Sequence, residues 1–435
     1  MTWKDVLEPG TQTDHVLRVP VAAADTAGFA RTLAFDAYGI LFGLRGLVRD
    51  LDDQLEHPGL LELTRKRLER FRAANEEHTK ILGKLLAPLG AQSISFTEYN
   101  QYLRDRRAGH LLVKGWDHLF KDWTWGDDET KALLDLASKT LEGGPSRFER
   151  VLTLGAGACR FPYEIHRRFQ PTLSVAVDSN PLLLSCARRV IQGEALELFE
   201  FPTLPRDLEC FAVKSTLRCP EPLAEGFEVL AHDLNEWALA GEQFDLVVTP
   251  WFIDAVPIST PRLFALVNRV LRKNGTWLNV GPVGFNKRMM ARYYSREEVL
   301  CLVEAAGFEV LRSEYAPLPY FHNPSSAHWR IEHVLAFAAR KEADAQVEAA
   351  PEPPAVPEWL RDPTLPVRGS FPSAELKKSF SFCLDLVGRA SQGQSVRQLA
   401  KAMAAKHRMP EAQLEQVIGA TLQQWQDGSR FNPMR

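Results

Sequence analysis

The sequence predicts an α/β fold, a parallel sheet with crossover helices set between a helical N-terminal region and a small helical C-terminal domain. Three observations carry this expectation. Beyond Phe148, short apolar runs (Val151 to Leu154, Ser174 to Val177, Phe244 to Val248, Trp277 to Val280) alternate with helical periods such as Pro261 to Leu271, as strands and crossover helices do. Before that stretch, from Asp25 to about Leu89, apolar residues recur at spacings of three and four, as in Leu33, Ala37, Ile40, Leu41 and Leu44, which predicts two or more helices. After it, Ala374 to Gly388, Val396 to Lys406 and Glu411 to Gln426 read as amphipathic helices broken by SQGQ and by Pro410.

At about 150 residues per domain, 435 residues predict two to three domains. We expect a helical cap region over 1–147, a sheet domain over 148–340, a linker over 341–369 and a helical domain over 370–435. The linker reading rests on KEADAQVEAAPEPPAVPEW and DPTLP, which are rich in Ala, Glu and Pro and lack an apolar period. No internal repeat is visible.

Composition narrows the class of function. With 45% hydrophobic and 25% charged residues, the chain is neither disordered nor fibrous in character. Its 52 basic and 55 acidic residues, net −3, supply no global field to draw nucleic acid or an acidic membrane. Six scattered cysteines without a CxxC disfavour a disulfide scaffold and a zinc finger. The acidic, proline-containing N-terminus lacks the pattern of a secretory signal, and no apolar run approaches the roughly 18 residues of a membrane span. The expectation is a cytoplasmic protein with reduced thiols and no metal.

The strongest local signal is VLTLGAGACRF, in which a strand runs into Gly155, Ala156 and Gly157 and then a helix beginning near Phe161. Glycines there let the backbone approach a ligand, and a helix N-terminus favours a negative group. The next strand ends at Asp178, where a carboxylate can accept both hydroxyls of a ribose. A nicotinamide fingerprint would place glycine or alanine where this chain has Arg160. Asp233 in VLAHDLNEW follows another strand; alone it reads as a helix cap, but after Gly155, Gly157 and Asp178 it favours S-adenosylmethionine over a dinucleotide, with Leu234 beside it. FDLVVTPWFIDAVP ends a further strand at Pro250, Trp251, Phe252, Ile253 and Asp254, the strand end at which open sheets place ligands. Asp254 is either a helix cap or a group that aims an attacking nitrogen by accepting its N–H.

Over roughly Tyr99 to Arg340 the chain resembles the carnosine N-methyltransferase-like proteins. The resemblance is carried by LFKDWTWG, VLTLGAGACRF, PWFIDAV, LRKNGTWLNVGPVGF and EHVLAF. It implies a Rossmann-like class I methyltransferase with a mostly parallel seven-stranded sheet. It also implies methylation of a ring nitrogen in a histidine-containing small molecule or peptide. Gly155, Ala156, Gly157, Arg160, Asp178, Asp233, Leu234, Pro250 and Trp123 are then expected at the cofactor. Phe252, Asp254, Asn286, His328 and Trp329 are expected at the substrate, with Asp254 and Asn286 as the catalytic pair.

The chain departs from the family pattern in places. Cys159 stands for a loop glycine, Lys121 for an arginine, Asn286 for a substrate-facing histidine, and His328, Trp329 and Ile331, ahead of Glu332, fall where the family has tyrosines. These departures point to a related imidazole, amine or peptide acceptor. Trp116, Trp123 and Trp125 either roof the cofactor or anchor the N-terminal helices; His322 and His328 either line a pocket or sit in solvent; Cys159 reads as a small residue in a tight turn. Two other classes stay open: a non-catalytic scaffold whose working part is the C-terminal domain, and a nucleic-acid reader built on Gln394 to Ile418. The last helices carry nine Lys or Arg against four Asp or Glu from Leu376 onward, an excess that a solvated face also explains. A carrier peptide or partner enzyme is the expected kind of partner for them, since a tethered module raises local concentration.

Overall fold

The computed structural model describes residues 6–7, 16–18, 27–105, 115–223, 225–232, 234, 237–256, 258–285 and 292–345, together with 364, 386, 389, 394–407, 410–412, 414–416, 418–419 and 422. The chain divides into two compact units, Met1–Gln346 and Val347–Arg435. Most of the expected linker, residues 346–363 and 365–369, lies outside the described residues.

In the first unit the sheet is built from β2 (Arg150–Leu154), β3 (Leu173–Asp178), β6 (Phe227–His232), β7 (Phe244–Pro250), β8 (Leu271–Gly281), β9 (Phe308–Tyr320) and β10 (Arg330–Lys341), in the order β6-β3-β2-β7-β8-β10-β9. The first five are parallel, and β10 runs antiparallel to both β8 and β9. This is the expected mostly parallel seven-stranded sheet. An eighth strand that the periodicity did not reveal, β1 (Val16–Arg18), pairs antiparallel with β6. So one piece of the expected helical cap joins the sheet instead. At the other edge β9 carries Pro317 and Pro319.

Alternate strand residues feed two separate cores, the consequence of the period-two pleat. Leu152, Val175, Val247 and Trp277 pack with Leu263 and Val303 of α8 (Thr260–Val270) and α9 (Arg296–Ala305). Val151, Leu246, Leu278 and Val280 pack on the other face with α5 (Asp127–Thr140) and α6 (Arg160–Phe169). With both faces covered, the strands read as continuous apolar runs. One polar chain crosses this core: Trp277 donates to Thr249 at 2.9 Å, Thr249 to Asn279 at 2.9 Å, and Asn279 to the Leu335 carbonyl at 2.9 Å. All three side chains are buried, so the chain is fully satisfied and fixes the register of β7, β8 and β10.

The N-terminal periodicity yields α1 (Ala27–Leu55), α2 (Glu62–Leu86) and α3 (Phe96–Asp105), then α4 (Asp117–Phe120), which continues as a π-helix over Lys121–Trp125. Between α7 (Pro181–Ile191) and β6 the chain inserts a second, two-stranded sheet of β4 (Leu196–Glu200) and β5 (Val213–Leu217). In the second unit α10 (Val396–His407) begins on a reciprocal Ser395–Gln398 cap and buries Leu399 and Met403 with Leu386, Leu414 and Ile418. Most of the other two expected helices lies outside the described residues.

Candidate active site

The chain order reverses at β2: β3 and β6 extend the sheet one way, β7 and β8 the other. That switch point sets the C-terminal ends of β2 and β7 side by side and leaves a crevice between their loops. After β2 the chain turns through Gly155 (φ +73°) and Gly157 (φ +54°), angles glycine adopts without steric cost. The Gly155 and Ala156 amides both donate to the Val177 carbonyl at 2.9 Å. A Cβ on Gly155 would overlap Phe252, whereas one on Gly157 would meet nothing within 4 Å. The first glycine is thus needed for packing, and the second keeps the backbone bare against open space that a ligand can fill.

Asp178 closes this loop from β3. One carboxylate oxygen accepts the Gly157 amide at 2.9 Å and the other the Asn180 amide at 3.1 Å. Burial pushes the Asp178 carboxyl up while these backbone hydrogen bonds pull it down. The side chain remains partly accessible, and a carboxylate has about four acceptor positions, so room is left for ribose hydroxyls. Leu234 lies in the same apolar cluster as Val177 and Phe252. Asp233 lies outside the described residues. The bare loop and the strand-end acid fit S-adenosylmethionine.

The π-helix is stitched to the glycine loop. Trp123 donates its indole N–H to the Ala158 carbonyl at 2.8 Å. Asp122 accepts the Arg160 amide at 3.2 Å and pairs with Lys121 at 3.0 Å. Trp123 therefore anchors the cap, one of the two readings open to it. The Arg160 guanidinium, expected at the cofactor, pairs with Asp127 and Glu164, each at 2.9 Å, and donates to the Asp122 carbonyl. Such pairing explains why arginine, not glycine, fits there. Cys159 is buried at φ +65°, and burial pushes its thiol well up, the behaviour of a small turn residue and not of a reactive one.

On the far side of the crevice, Pro250 ends β7 and Trp251 follows at φ +47°, a conformation costing about 1–3 kcal/mol for a bulky residue. Its amide donates to the Val280 carbonyl at 3.0 Å, and Gly281 allows the approach because a Cβ there would sit 2.9 Å from the Trp251 nitrogen. The indole stacks on Tyr320 with centroids 5.3 Å apart and donates to Glu332 at 2.7 Å. Arg330 lies over the other side of this corner, 4.7 Å from the Tyr320 ring. Burial holds His118 at about 4 and pushes the Tyr320 phenol up, yet both keep some accessible surface.

Asp254 is not a helix cap. The residue at the start of α8 is Ser259, and the Asp254 carboxylate instead accepts the Gly284 amide at 2.7 Å, tying the loop after β7 to the loop after β8. Asn286 lies outside the described residues. His328 and Trp329 are exposed on the β9–β10 connection, Trp329 at 45%, with its ring against His322 at 4.6 Å. They stand at the rim, apart from the Trp251 corner. Sequence reasoning did not single out Tyr320, His118 or Glu332, nor Asp122, although Asp122 lies within LFKDWTWG.

Fold and loop together define the class of a class I S-adenosylmethionine-dependent methyltransferase. Over residues 207–343 the chain matches the family model described as carnosine N-methyltransferase. That bears out the resemblance in PWFIDAV and LRKNGTWLNVGPVGF over this part of the chain, and the chain is an S-adenosylmethionine-dependent methyltransferase with S-adenosylmethionine as its cofactor. No curated protein matches the chain. Among solved structures it is similar to the N-methyltransferase NodS from Bradyrhizobium japonicum WM9 in complex with S-adenosyl-L-homocysteine (14% identity, 56% of this chain and 98% of that one, TM-score 0.35). It is also similar to a SAM-dependent methyltransferase from Methanosarcina mazei (14% identity, 46% and 94%, TM-score 0.32). Among the described residues no helix is long and apolar enough to cross a membrane, and no group of His, Cys, Asp and Glu could hold a metal ion.

Proposed function

We propose that the acceptor is a nitrogen of an imidazole or amine in a histidine-related small molecule or peptide. The observation that carries this reading is Asp254, a carboxylate fixed at the end of β7 by the Gly284 amide with no helix to cap. Bound S-adenosylmethionine supplies an activated methyl group, so the protein's task is alignment more than covalent assistance. The Gly155–Gly157 backbone and Asp178 would hold the cofactor. Asp254 would accept the far N–H of an imidazole, or an ammonium proton, and turn the other nitrogen's lone pair toward the methyl carbon. The Trp251 indole, stacked on Tyr320, would offer its outer face to a planar ring. The cap, stitched to the loop through Asp122 and Trp123, would exclude water.

The test is methyl transfer from S-adenosylmethionine to carnosine, histidine, histamine and a short histidine-containing peptide, with products located by tandem mass spectrometry. A methylated nitrogen on at least one is expected. Transfer confined to oxygen or carbon acceptors in a wider panel would overturn the reading. For the second unit we propose an accessory role in holding a peptide or protein partner, tested by whether deleting 370–435 raises KM for a peptide acceptor and leaves that for a free amino acid unchanged.

A further inference from the structure

Glu200 belongs neither to the glycine loop nor to the Asp254 corner. It is the last residue of β4 and is only 2% exposed. Two segments distant in sequence meet on its carboxylate: the Trp125 indole donates from the π-helix at 3.2 Å, and the Asn323 amide from the β9–β10 connection at 2.6 Å. The same segments also touch directly, Trp125 and Phe321 having ring centroids 6.1 Å apart. Phe321 leads on to Tyr320 at 4.8 Å and Tyr320 to Trp251 at 5.3 Å. The carboxylate therefore stands at the outer end of an aromatic wall whose inner end is the Trp251 corner.

A buried carboxylate supported by neutral donors alone resists ionisation. Burial is the main reason that Glu200 is pushed up from 4.5 to about 7; Asp117 of α4 adds to it, and the Trp125 and Asn323 hydrogen bonds oppose it. The other charged or titratable groups against these segments include Arg206, which donates to the Pro324 carbonyl at 2.8 Å, and the Lys121–Asp122 pair on the π-helix. Glu129 of α5 accepts the Phe321 and His322 amides at 3.2 and 2.5 Å. His118 of α4, against Phe321, is held at about 4. His322 stands exposed on the connection itself.

We propose that Glu200 is a positioning residue that locks the β9–β10 connection onto the π-helix while it is protonated and loosens it on ionising, making the acceptor wall sensitive to protons. That this wall faces the acceptor rests on the function proposed above. Opening the connection returns the carboxyl to water and to its ordinary range, so the closed form holds the proton more tightly than the open one. Closure accordingly weakens by about tenfold per pH unit between those two values and levels off above the upper one.

The experiment is hydrogen exchange by mass spectrometry on the full-length chain from pH 5 to 8.5, corrected for intrinsic rates and read on peptides covering residues 321–326. In the wild type, protection should fall by at least about tenfold between pH 5 and 7 and then level off. Glu200→Gln keeps an acceptor oxygen but cannot ionise, and its profile should be flat; His322 is still present in it, so any dependence due to that ring would persist. A flat wild-type profile, or an equal slope in Glu200→Gln, overturns the proposal. Should Glu200→Gln not fold, Trp125→Phe serves in its place. It removes one donor that favours the ionised form, so the levelling-off should move to higher pH, and an unmoved profile is equally fatal. No acceptor enters the measurement, so its failure is separate from failure of the methyl-transfer reading, which product analysis judges.

Discussion

The Phe252 ring lies directly against Gly155, so that the loop that would hold the cofactor and the motif that would hold the acceptor are in van der Waals contact through a residue with no side chain. The two halves of the site are thereby mechanically joined. Gly155→Ala would have to adopt φ near +73° and displace an aromatic ring at once. We expect it to lose about 1–3 kcal/mol of stability and to bind S-adenosylhomocysteine at least tenfold more weakly. Calorimetry and urea unfolding on one preparation check this; normal values for both would remove the glycine from the site.

Asp178→Ala removes the acceptor for the Gly157 amide and for ribose together. The expected loss in S-adenosylhomocysteine affinity is about 1.5–3 kcal/mol, typical of a hydrogen bond to a charged group. Unchanged affinity by titration calorimetry would show that the carboxylate serves the loop alone.

Asp254→Asn retains an oxygen for the Gly284 amide and should fold with a melting temperature close to the wild type. Without the charge it cannot hold an imidazole N–H or an ammonium well, and we expect turnover to fall by about 10²-fold or more with cofactor binding intact. Near-normal turnover would leave Asp254 with the loop tie as its whole role.

The parallel strands, the glycine loop and Asp178 were legible in the sequence because each is local: an apolar run, a turn that needs glycine, an acid at the next strand end. Asp254 was legible as a residue with two readings, a cap or an acceptor-orienting group; its tie to Gly284, thirty positions later, was not. Tyr320, His118 and Glu200 were not legible. Their positions follow from β9, α4 and an inserted hairpin converging, and no spacing along the chain encodes that. Arg160 was assigned to the cofactor loop by resemblance alone; its pairing with Glu164 one helical turn on and with Asp127 of α5 was not foreseen.

His78 supplies a pH test of packing. It is buried against Phe199, Phe201 and Trp116 and its Nδ1 accepts the Phe199 amide at 3.4 Å, which requires the neutral ring. Burial lowers it from 6.5 to about 4. The unfolded chain therefore takes up a proton that the folded one refuses, and stability falls as pH drops from 6.5 toward 4, by on the order of 2–3 kcal/mol. As pH falls from 6.5 toward 4, the wild type should lose that amount of stability relative to His78→Phe, which has no proton to take up. Parallel stability profiles would exclude it as a cause.

The composition of residues 347–360 predicts that limited proteolysis cuts there before it cuts the sheet, since few apolar contacts can cross so polar and proline-rich a stretch. Mass spectrometry of early fragments decides it. First cleavage within 150–340 would refute the linker assignment.

Pro317 and Pro319 have a consequence away from catalysis. They lie in β9, the strand that ends the sheet on the side opposite β1. A proline has no N–H to offer, so this rim presents an interrupted row of donors, with the charges of Arg312 and Glu314 farther along the same strand. The other rim is closed by a strand of three residues. Neither border gives a second copy of the chain a long, regular ladder to extend, and a sheet of this size is thereby guarded against growing from molecule to molecule into a fibre.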